Sequence, residues 1–236
     1  MRRHALPKRA AGFLLACGFL YIGLAYMAAP EYWSFRDRRL DRAPEQMLTT
    51  TPQGIPGDPI NVGLIGSKAD VLHAFAAAKW SPADAITLRS SLEIGESVVF
   101  DRPYADAPVS TLLFDGRKQD LAFEKPVGIS ADQRHHVRLW QVASADTEKP
   151  PLWLGSASYD RGVGFSHDTG QITHHIGPDI DAERDFLVSQ LTAAGVVGSS
   201  YSMDGIGPTT AGRNGGGDPY FTDGMASVIV LNPIDR

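Results

Sequence analysis

The feature that most constrains this chain is an uncharged run of twenty residues close to its N-terminus. Residues 10–29 contain no Asp, Glu, Lys or Arg, and Lys8 and Arg9 stand directly before them. At about 1.5 Å per residue, a helix of this length crosses the hydrocarbon core of a bilayer. The sequence therefore predicts a transmembrane anchor over residues 10–29, preceded by a basic flank over residues 1–9.

Three other interpretations of this run are less favoured. A buried helix of a soluble protein is disfavoured because the run is apolar on all its faces. A cleaved signal peptide is disfavoured because the exit, Ala28-Ala29-Pro30, follows a long apolar core and offers no good small-x-small site. A lipoprotein is disfavoured because the chain stays apolar for twelve residues after Cys17. We therefore expect an uncleaved, single-pass anchor.

Charge separates the basic N-terminal end from an acidic body. The chain of 236 residues has a formal net charge of −5, and residues 1–42 alone carry +5, so the remainder carries −10. An acidic body repels phosphate backbones, which predicts no nucleic-acid partner. The single cysteine, Cys17, excludes a disulfide framework and a Cys-rich metal site. Each end of the apolar run has four Lys or Arg nearby, but the tight Lys8-Arg9 flank favours a cytoplasmic N-terminus and a body outside the cytoplasm.

The body is predicted to begin near residue 58. Residues 30–57 are rich in Pro, Thr and Gly after a charged stretch and indicate a juxtamembrane segment and linker, followed by a globular domain over residues 58–232. Three helices are expected: one capped by Ser67 and Asp70, one after Asp84, and one that opens with acidic residues at 178–183.

Alternating apolar residues predict the strands, and Gly-rich or polar stretches predict the loops between them. The predicted strands are 60–65, 111–114, 135–142, 152–159, 171–176, 196–202 and 225–231, and the predicted loops are 114–135, 160–170 and 205–224. The expected fold class is α+β, a mainly antiparallel mixed sheet with about three packing helices, preceded by one N-terminal transmembrane helix.

Five of the seven histidines fall between residues 135 and 175. Because neighbouring side chains of a strand point to opposite faces, His135 is expected on a core face with Val137, and His136 on a polar face with Arg138. The same alternation assigns His174 to an apolar face and His175 to a polar one. We therefore predict His136 and His175 as candidate catalytic residues. The alternative is that these histidines are simply hydrogen-bonded or solvated.

Arginines and glycines supply a candidate anion site. Arg138 and Arg161 are predicted to hold an anionic or phosphorylated ligand. Arg213 precedes Asn214 and three successive glycines, Gly215, Gly216 and Gly217, whose backbone N–H groups are able to approach such a ligand closely. The alternative is a flexible connection with an arginine at its rim.

A metal site, if there is one, is expected to use His167 with one of His174 or His175. The predicted strand geometry prevents His174 and His175 from acting as adjacent ligands of one ion. The sequence identifies no other cofactor, and the usual short catalytic motifs are absent from it.

Several separated blocks together resemble the LssY C-terminal domain family. They are PADAITLRSS (82–91), GRKQDLAFE (116–124), RHHVR (134–138), YDRGVG (159–164), THHI (173–176) and GRNGGGDPYFTDG (212–224). The resemblance spans roughly residues 55–232. It implies a bacterial, membrane-tethered domain in the inner membrane and a phospholipid or polyprenyl-phosphate context, because relatives carry the domain behind transmembrane segments. It supplies no catalytic residues.

Two functions follow as expectations. The first is a non-catalytic binding or accessory module of a bacterial membrane assembly, attached to the lipid bilayer through residues 10–29. The second is a hydrolase-like site that acts on a phosphorylated or lipid-type anionic substrate. That site would use His136 and His175 for acid–base chemistry and Arg138, Arg161 and Arg213 to hold the anion.

Overall fold

The N-terminal segment is a continuous helix in the computed structural model, which describes residues 8–33, 47–83, 111–128, 133–142, 149–205 and 210–234. It is α-helical over Lys8–Gly23 (α1), π-helical over Leu24–Ala28, and helical again as far as Trp33. The stretch Arg9–Trp33 is long and apolar enough to cross a membrane, in line with the predicted anchor over residues 10–29.

Fourteen strands lie in the described part of the body. They are β1 (Leu48–Thr50), β2 (Pro56–Pro59), β3 (Val62–Ile65), β4 (Ser81–Pro82), β5 (Leu113–Phe114), β6 (Arg117–Lys118), β7 (Leu121–Pro126), β8 (Arg134–Val142), β9 (Leu152–Phe165), β10 (Ile172–Ile176), β11 (Val197–Asp204), β12 (Ala211–Arg213), β13 (Pro219–Phe221) and β14 (Met225–Leu231). The main sheet has the order β11-β14-β3-β9-β8-β7-β4, and β10 pairs with the far end of β9. Strands β14 and β3 are parallel and the other pairs are antiparallel. This confirms the predicted α+β class with its mainly antiparallel mixed sheet.

Two helices pack on one face of the main sheet. Helix α2 (Lys68–Ala77) begins at the predicted Ser67 cap, and helix α3 (Ile180–Ala193) begins at Asp179. Alternating residues of β3, β8, β9 and β14 point towards these helices and form the hydrophobic core with them. The predicted helix after Asp84 lies outside the described residues.

The histidine predicted on the core face does lie on the helix side of the sheet. His135 Nδ1 is 2.8 Å from Glu183 Oε2 of α3. Its ring stacks on Phe186 at a centroid distance of 3.9 Å. Nearby, Phe75 of α2 stacks on Phe123 of β7 at 4.0 Å. His135 therefore belongs to the interface between α3 and the sheet.

A smaller sheet covers part of the opposite face. Its strand order is β2-β1-β5-β6. Strand β2 brings Asp58 within 3.6 Å of Arg138 on β8. Strand β6 accepts a hydrogen bond of 2.9 Å at the Arg117 carbonyl from the indole N–H of Trp140, also on β8. The polar residues of this face of β8 are therefore enclosed between two sheets.

The structure differs from the predicted loops in four places. Strands β1 and β2 lie mostly within the predicted linker 30–57, β6 and β7 lie within 114–135, the end of β9 lies within 160–170, and β12 and β13 lie within 205–224. Strands β1, β6, β12 and β13 have only two or three residues, which is too few to show an alternating pattern. The end of β9 contains two charged residues, Asp160 and Arg161, and two glycines, Gly162 and Gly164, a composition typical of loops. The folded body therefore includes residues before position 58.

The capping box at α2 gives a local test of the fold. Ser67 Oγ accepts a hydrogen bond from the Asp70 amide, and Asp70 Oδ2 accepts one from the Ser67 amide. We expect Ser67→Ala to cost about 1 kcal/mol of stability. Thermal unfolding of the full chain in detergent should then show a melting temperature about 2–4 °C lower. Ser189→Ala, at an exposed position of α3, is the control and should leave the transition unchanged. Equal shifts for both variants would contradict the assignment.

Candidate functional site

A cavity of about 220 Å³ lies between the two sheets and the β9–β10 hairpin. Its charged walls come from Asp58, His136, Arg138, Asp160 and His174. Most of its other lining residues are neutral and polar. They are Thr51, Gln53, Thr111, Ser166, Thr169, Gln171, Thr173 and Asn214, together with the backbone of Gly215 and Gly216. Six residues that the sequence analysis named therefore share one cavity: His136, Arg138, His174, Asn214, Gly215 and Gly216.

Buried charged groups form a chain along one wall of this cavity. Glu124 Oε2 is 2.8 Å from Arg134 Nη1, and Arg134 Nε is 3.0 Å from Asp160 Oδ2. Asp160 Oδ1 is 3.3 Å from His136 Nδ1. The chain continues with Arg138, whose Nη1 is 2.8 Å from His136 Nε2 and 3.6 Å from the Asp58 carboxylate. All six side chains are almost completely buried.

The contact with Arg138 fixes the tautomer of His136. An arginine N–H only donates, so the imidazole Nε2 that faces Arg138 accepts the hydrogen bond. In the neutral ring the proton therefore sits on Nδ1, which lies 3.3 Å from Asp160 Oδ1 but makes no hydrogen bond within the described part of the chain. Nε2 of His136 is thus already occupied by Arg138, and Nδ1 is buried beside a carboxylate.

The two carboxylates beside Arg134 respond in opposite directions to their surroundings. Burial is the largest single effect and acts to raise the pKa of Asp160, but His136, His174 and Arg134 together outweigh it, and the pKa falls well below its usual range. Burial dominates at Glu124 and raises its pKa despite the favourable effect of Arg134. Asp160 is therefore the firmly ionised partner in this chain of charges.

A β-bulge decides which histidine of β10 faces the cavity. His175 pairs with Gly162, whereas Ile176 pairs with Asp160, so Arg161 is an extra residue on β9. Beyond the bulge the alternation of β9 is shifted by one residue, while β10 stays regular. Ile176 pairs with Asp160 and shares its face with His174, so His174 lines the cavity, while His175 points to the other side of β10.

His175 belongs to a second cluster around Asp218. Its Nδ1 is 2.8 Å from Asp218 Oδ1, and His167 Nε2 is 3.5 Å from the same oxygen. Asp218 is fully buried, and its second oxygen accepts a hydrogen bond from the Ile176 amide. Arg161 approaches from the solvent side, with Nη2 4.0 Å from Asp218 Oδ1. The sequence-predicted His136 and His175 thus lie in neighbouring but separate groups.

The glycine-rich turn between β12 and β13 is closed on itself. Asn214 Oδ1 accepts hydrogen bonds from the amides of Gly216 and Asp218, and the Asn214 carbonyl accepts one from Gly217. The Gly216 and Gly217 amides, two of the three that the sequence predicted as an anion site, therefore already have partners in this conformation. Arg213 Nη1 lies 3.4 Å from Asp168 Oδ1, outside the cavity.

The N-terminal helix contacts the tip of the β9–β10 hairpin. Tyr21 Oη donates to the Gly170 carbonyl at 2.7 Å, and the Trp33 indole donates to the Asp168 carbonyl at 2.6 Å. Gln171, which lines the cavity, donates through Nε2 to the Ala25 carbonyl at 3.0 Å. Ala25 lies in the π-helical segment, where the change of hydrogen-bond register redirects backbone carbonyls. The cavity is therefore built against the predicted anchor.

The site residues predicted from the sequence did not include the carboxylates that hold these groups in place. Asp58 fell at the predicted end of a linker, Glu124 within a predicted loop, and Asp160 at the boundary of a predicted loop. Asp218 follows three glycines, and only the fold brings it to the edge of β10. Acidic residues within or next to strands could have indicated these positions. A buried charge at such a position needs a partner of opposite charge or a hydrogen bond.

Comparison with known proteins identifies the family but supplies no solved or curated relative. No curated protein and no solved structure matches the chain. The family model described as "LssY C-terminus" matches residues 40–226. This range includes the cavity, the β9–β10 hairpin and the Asp218 cluster. The chain therefore belongs to the LssY C-terminus family.

Proposed function

We propose that this protein is a membrane-anchored, non-catalytic binding module that receives a polar lipid headgroup in the cavity beside its anchor. The observation that carries the proposal is the double role of Gln171, which lines the cavity and also bonds to the Ala25 carbonyl of the helix. A ligand in the cavity is consequently close to the point where the chain meets the bilayer. The contacts of Tyr21 and Trp33 with the hairpin support an anchor that remains attached to the body.

The apolar surface of the hairpin supports a position at the lipid surface. Val163, Phe165 and Ile172 are all exposed although they are large and hydrophobic. Phe165 and Ile172 are paired across the hairpin, and the Tyr21 ring of the helix packs against Phe165 at a centroid distance of 6.5 Å. Exposed apolar patches continuous with a membrane helix are covered favourably by lipid. The hairpin tip is thus proposed to rest in the bilayer interface.

The arrangement of the cavity favours binding over catalysis. A general base needs a free ring nitrogen that reaches the substrate, whereas Nε2 of His136 already accepts from Arg138 and Nδ1 is buried 3.3 Å from Asp160 Oδ1. The hydrolase-like alternative also required His175, Arg161 and Arg213 in the same hollow. His175 and Arg161 gather instead at Asp218, and Arg213 at Asp168.

Size and charge of the cavity define the class of ligand. A volume of about 220 Å³ accommodates a small polar group but not a drug-sized molecule. The charged wall and its immediate partners contain the carboxylates of Asp58, Glu124 and Asp160 against the guanidinium groups of Arg134 and Arg138. This balance gives an anion little advantage, while the surrounding hydroxyl and amide groups suit a hydroxyl-rich headgroup. The phosphorylated ligand expected from the sequence is the alternative, and the experiment below compares the two classes.

Lipid retention provides that test. The full chain would be placed in nanodiscs containing phosphatidylcholine with either a glucosyl diacylglycerol or phosphatidylglycerol, and native mass spectrometry would count the lipids that stay bound. We expect one glucosyl lipid per chain. Thr173→Phe, which fills the cavity, and His174→Ala, which removes a wall residue, should abolish this selectivity.

The control for this experiment is Thr192→Phe, at an exposed position of α3. It adds the same ring away from the cavity and should retain the lipid. Selective retention of phosphatidylglycerol would show that the cavity binds an anionic headgroup and not the proposed hydroxyl-rich one. Selectivity that survives both cavity variants would overturn the proposal.

A further inference from the structure

We propose that His167, His175 and Asp218 bind one divalent first-row transition-metal ion, for which Zn²⁺ is the natural probe. The donor atoms of the three residues all lie within 4.8 Å of one another. They come from three different parts of the chain: the turn after β9, strand β10 and the turn before β13. This site is separate from the cavity and does not depend on its ligand.

The spacing of the donors fits a tetrahedral ion. Zinc bonds of 2.0–2.1 Å to nitrogen or oxygen place two ligand atoms about 3.3 Å apart. His175 Nδ1 and His167 Nε2 lie 2.8 Å and 3.5 Å from Asp218 Oδ1, on either side of that value. Small rotations of the half-exposed His167 side chain therefore complete the geometry. Two imidazoles and one carboxylate are a ligand set that zinc accepts, with a fourth position left for water or a ligand.

Neighbouring backbone contacts orient the Asp218 carboxylate for metal binding. Asp218 Oδ2 is fixed by the Ile176 amide at 3.1 Å, which leaves Oδ1 directed at the two histidines. The His167 amide donates to the Gly216 carbonyl at 2.9 Å, so the two turns that carry His167 and Asp218 are joined. Such outer contacts orient the first ligands of a metal and raise its affinity. A carboxylate as deeply buried as Asp218 also gains most from a neighbouring cation.

Gly164 makes room for the His175 ring. A Cβ atom at position 164 would lie 2.5 Å from His175 Nε2. Because the atom it would meet is the far end of a side chain, an alanine there displaces the imidazole at low cost to the backbone. Gly164→Ala is therefore a test of ligand position that leaves all three ligands present.

Metal titration of the full chain in detergent tests the site. We expect one equivalent of Zn²⁺ per chain by competition with a chromophoric chelator, and a visible absorption band when Co²⁺ is substituted. His167→Ala, His175→Ala and Asp218→Asn should each weaken Zn²⁺ binding about 100-fold or more, and Gly164→Ala about 10- to 100-fold. His174→Ala should bind Zn²⁺ normally, because its side chain points to the other side of β10.

Asp218→Asn separates metal binding from folding. The amide oxygen still accepts the bond from the Ile176 N–H, so the variant should keep the melting temperature of the wild-type protein and lose only Zn²⁺. Two outcomes overturn the proposal. One is the absence of saturable Zn²⁺ binding by the wild-type chain. The other is binding that is unchanged in both Asp218→Asn and Gly164→Ala.

Discussion

Replacing Arg134 by Met is expected to lower the free energy of unfolding by about 3–5 kcal/mol. Arg134 lies between Glu124 and Asp160, at 2.8 Å and 3.0 Å, and is almost completely buried. Its removal leaves Glu124 in the protein interior without its main counter-charge and Asp160 without one of its partners. Chemical unfolding of the full chain in detergent measures the loss.

An exposed pair supplies the matched control for this variant. Arg117 lies 3.7 Å from Asp120, and about half of its side chain is exposed. Because water screens such pairs, Arg117→Met should cost no more than about 1 kcal/mol. If the two arginine variants lose stability equally, the buried ion pairs of Arg134 are not a main source of the stability of the fold.

The pH dependence of Arg134→Met gives a second check on the same chain. Burial already raises the pKa of Glu124 in the folded protein, and loss of Arg134 raises it further. An acid whose folded pKa is raised stabilises the fold only below its unfolded pKa, about 4.3, and that contribution is lost as the pH rises through the folded value. The deficit of the variant should therefore be larger at pH 8 than at pH 5. Adding Glu124→Gln should recover part of the stability and flatten this dependence.

Local patterns in the sequence were sufficient for the elements that depend on near neighbours. A few consecutive residues determine each of three features: the cap at Ser67, the acidic start of α3 and the alternation of β8. The N-terminal helix likewise follows from an uncharged apolar run, and it is long enough to cross a membrane. At Ser67, α3 and β8 the physical cause, a cap hydrogen bond or the burial of one face, acts over a few positions, so the predicted elements form there.

The candidate site was less predictable because its geometry is set by contacts far apart in the chain. The assignment of His175 to the same surface as His136 assumed that the polar faces of β8 and β10 meet. One extra residue on β9, Arg161, sets a register in which Ile176 pairs with Asp160, so His174 on the same face of β10 meets the cavity instead. Asp218 reaches His175 over 43 positions of sequence. The residues next to Asp218 and His175 in the sequence give no indication of this contact.

A disulfide between the helix and the hairpin is expected to form if residues 25 and 170 are both changed to cysteine. A Cβ atom at Gly170 would lie 4.0 Å from the Ala25 Cβ, within the range that disulfides require. The experiment uses Cys17→Ser as background, so that Ala25→Cys and Gly170→Cys are the only thiols. Mild oxidation should link the two positions within one chain almost completely, although Gly170 has a positive φ that an L-residue adopts at a small cost.

The linked peptides would be identified by mass spectrometry after proteolysis. Phe13→Cys with Gly170→Cys is the control, because twelve helical residues at about 1.5 Å each place position 13 some 18 Å away along the axis. This pair should stay reduced. A link that forms only between chains, or equally well from position 13, would show that the helix does not pack on the hairpin. An N-terminal segment removed by a signal peptidase would leave no partner for Cys at position 170, so the same experiment decides whether the anchor stays joined to the cavity that it supports.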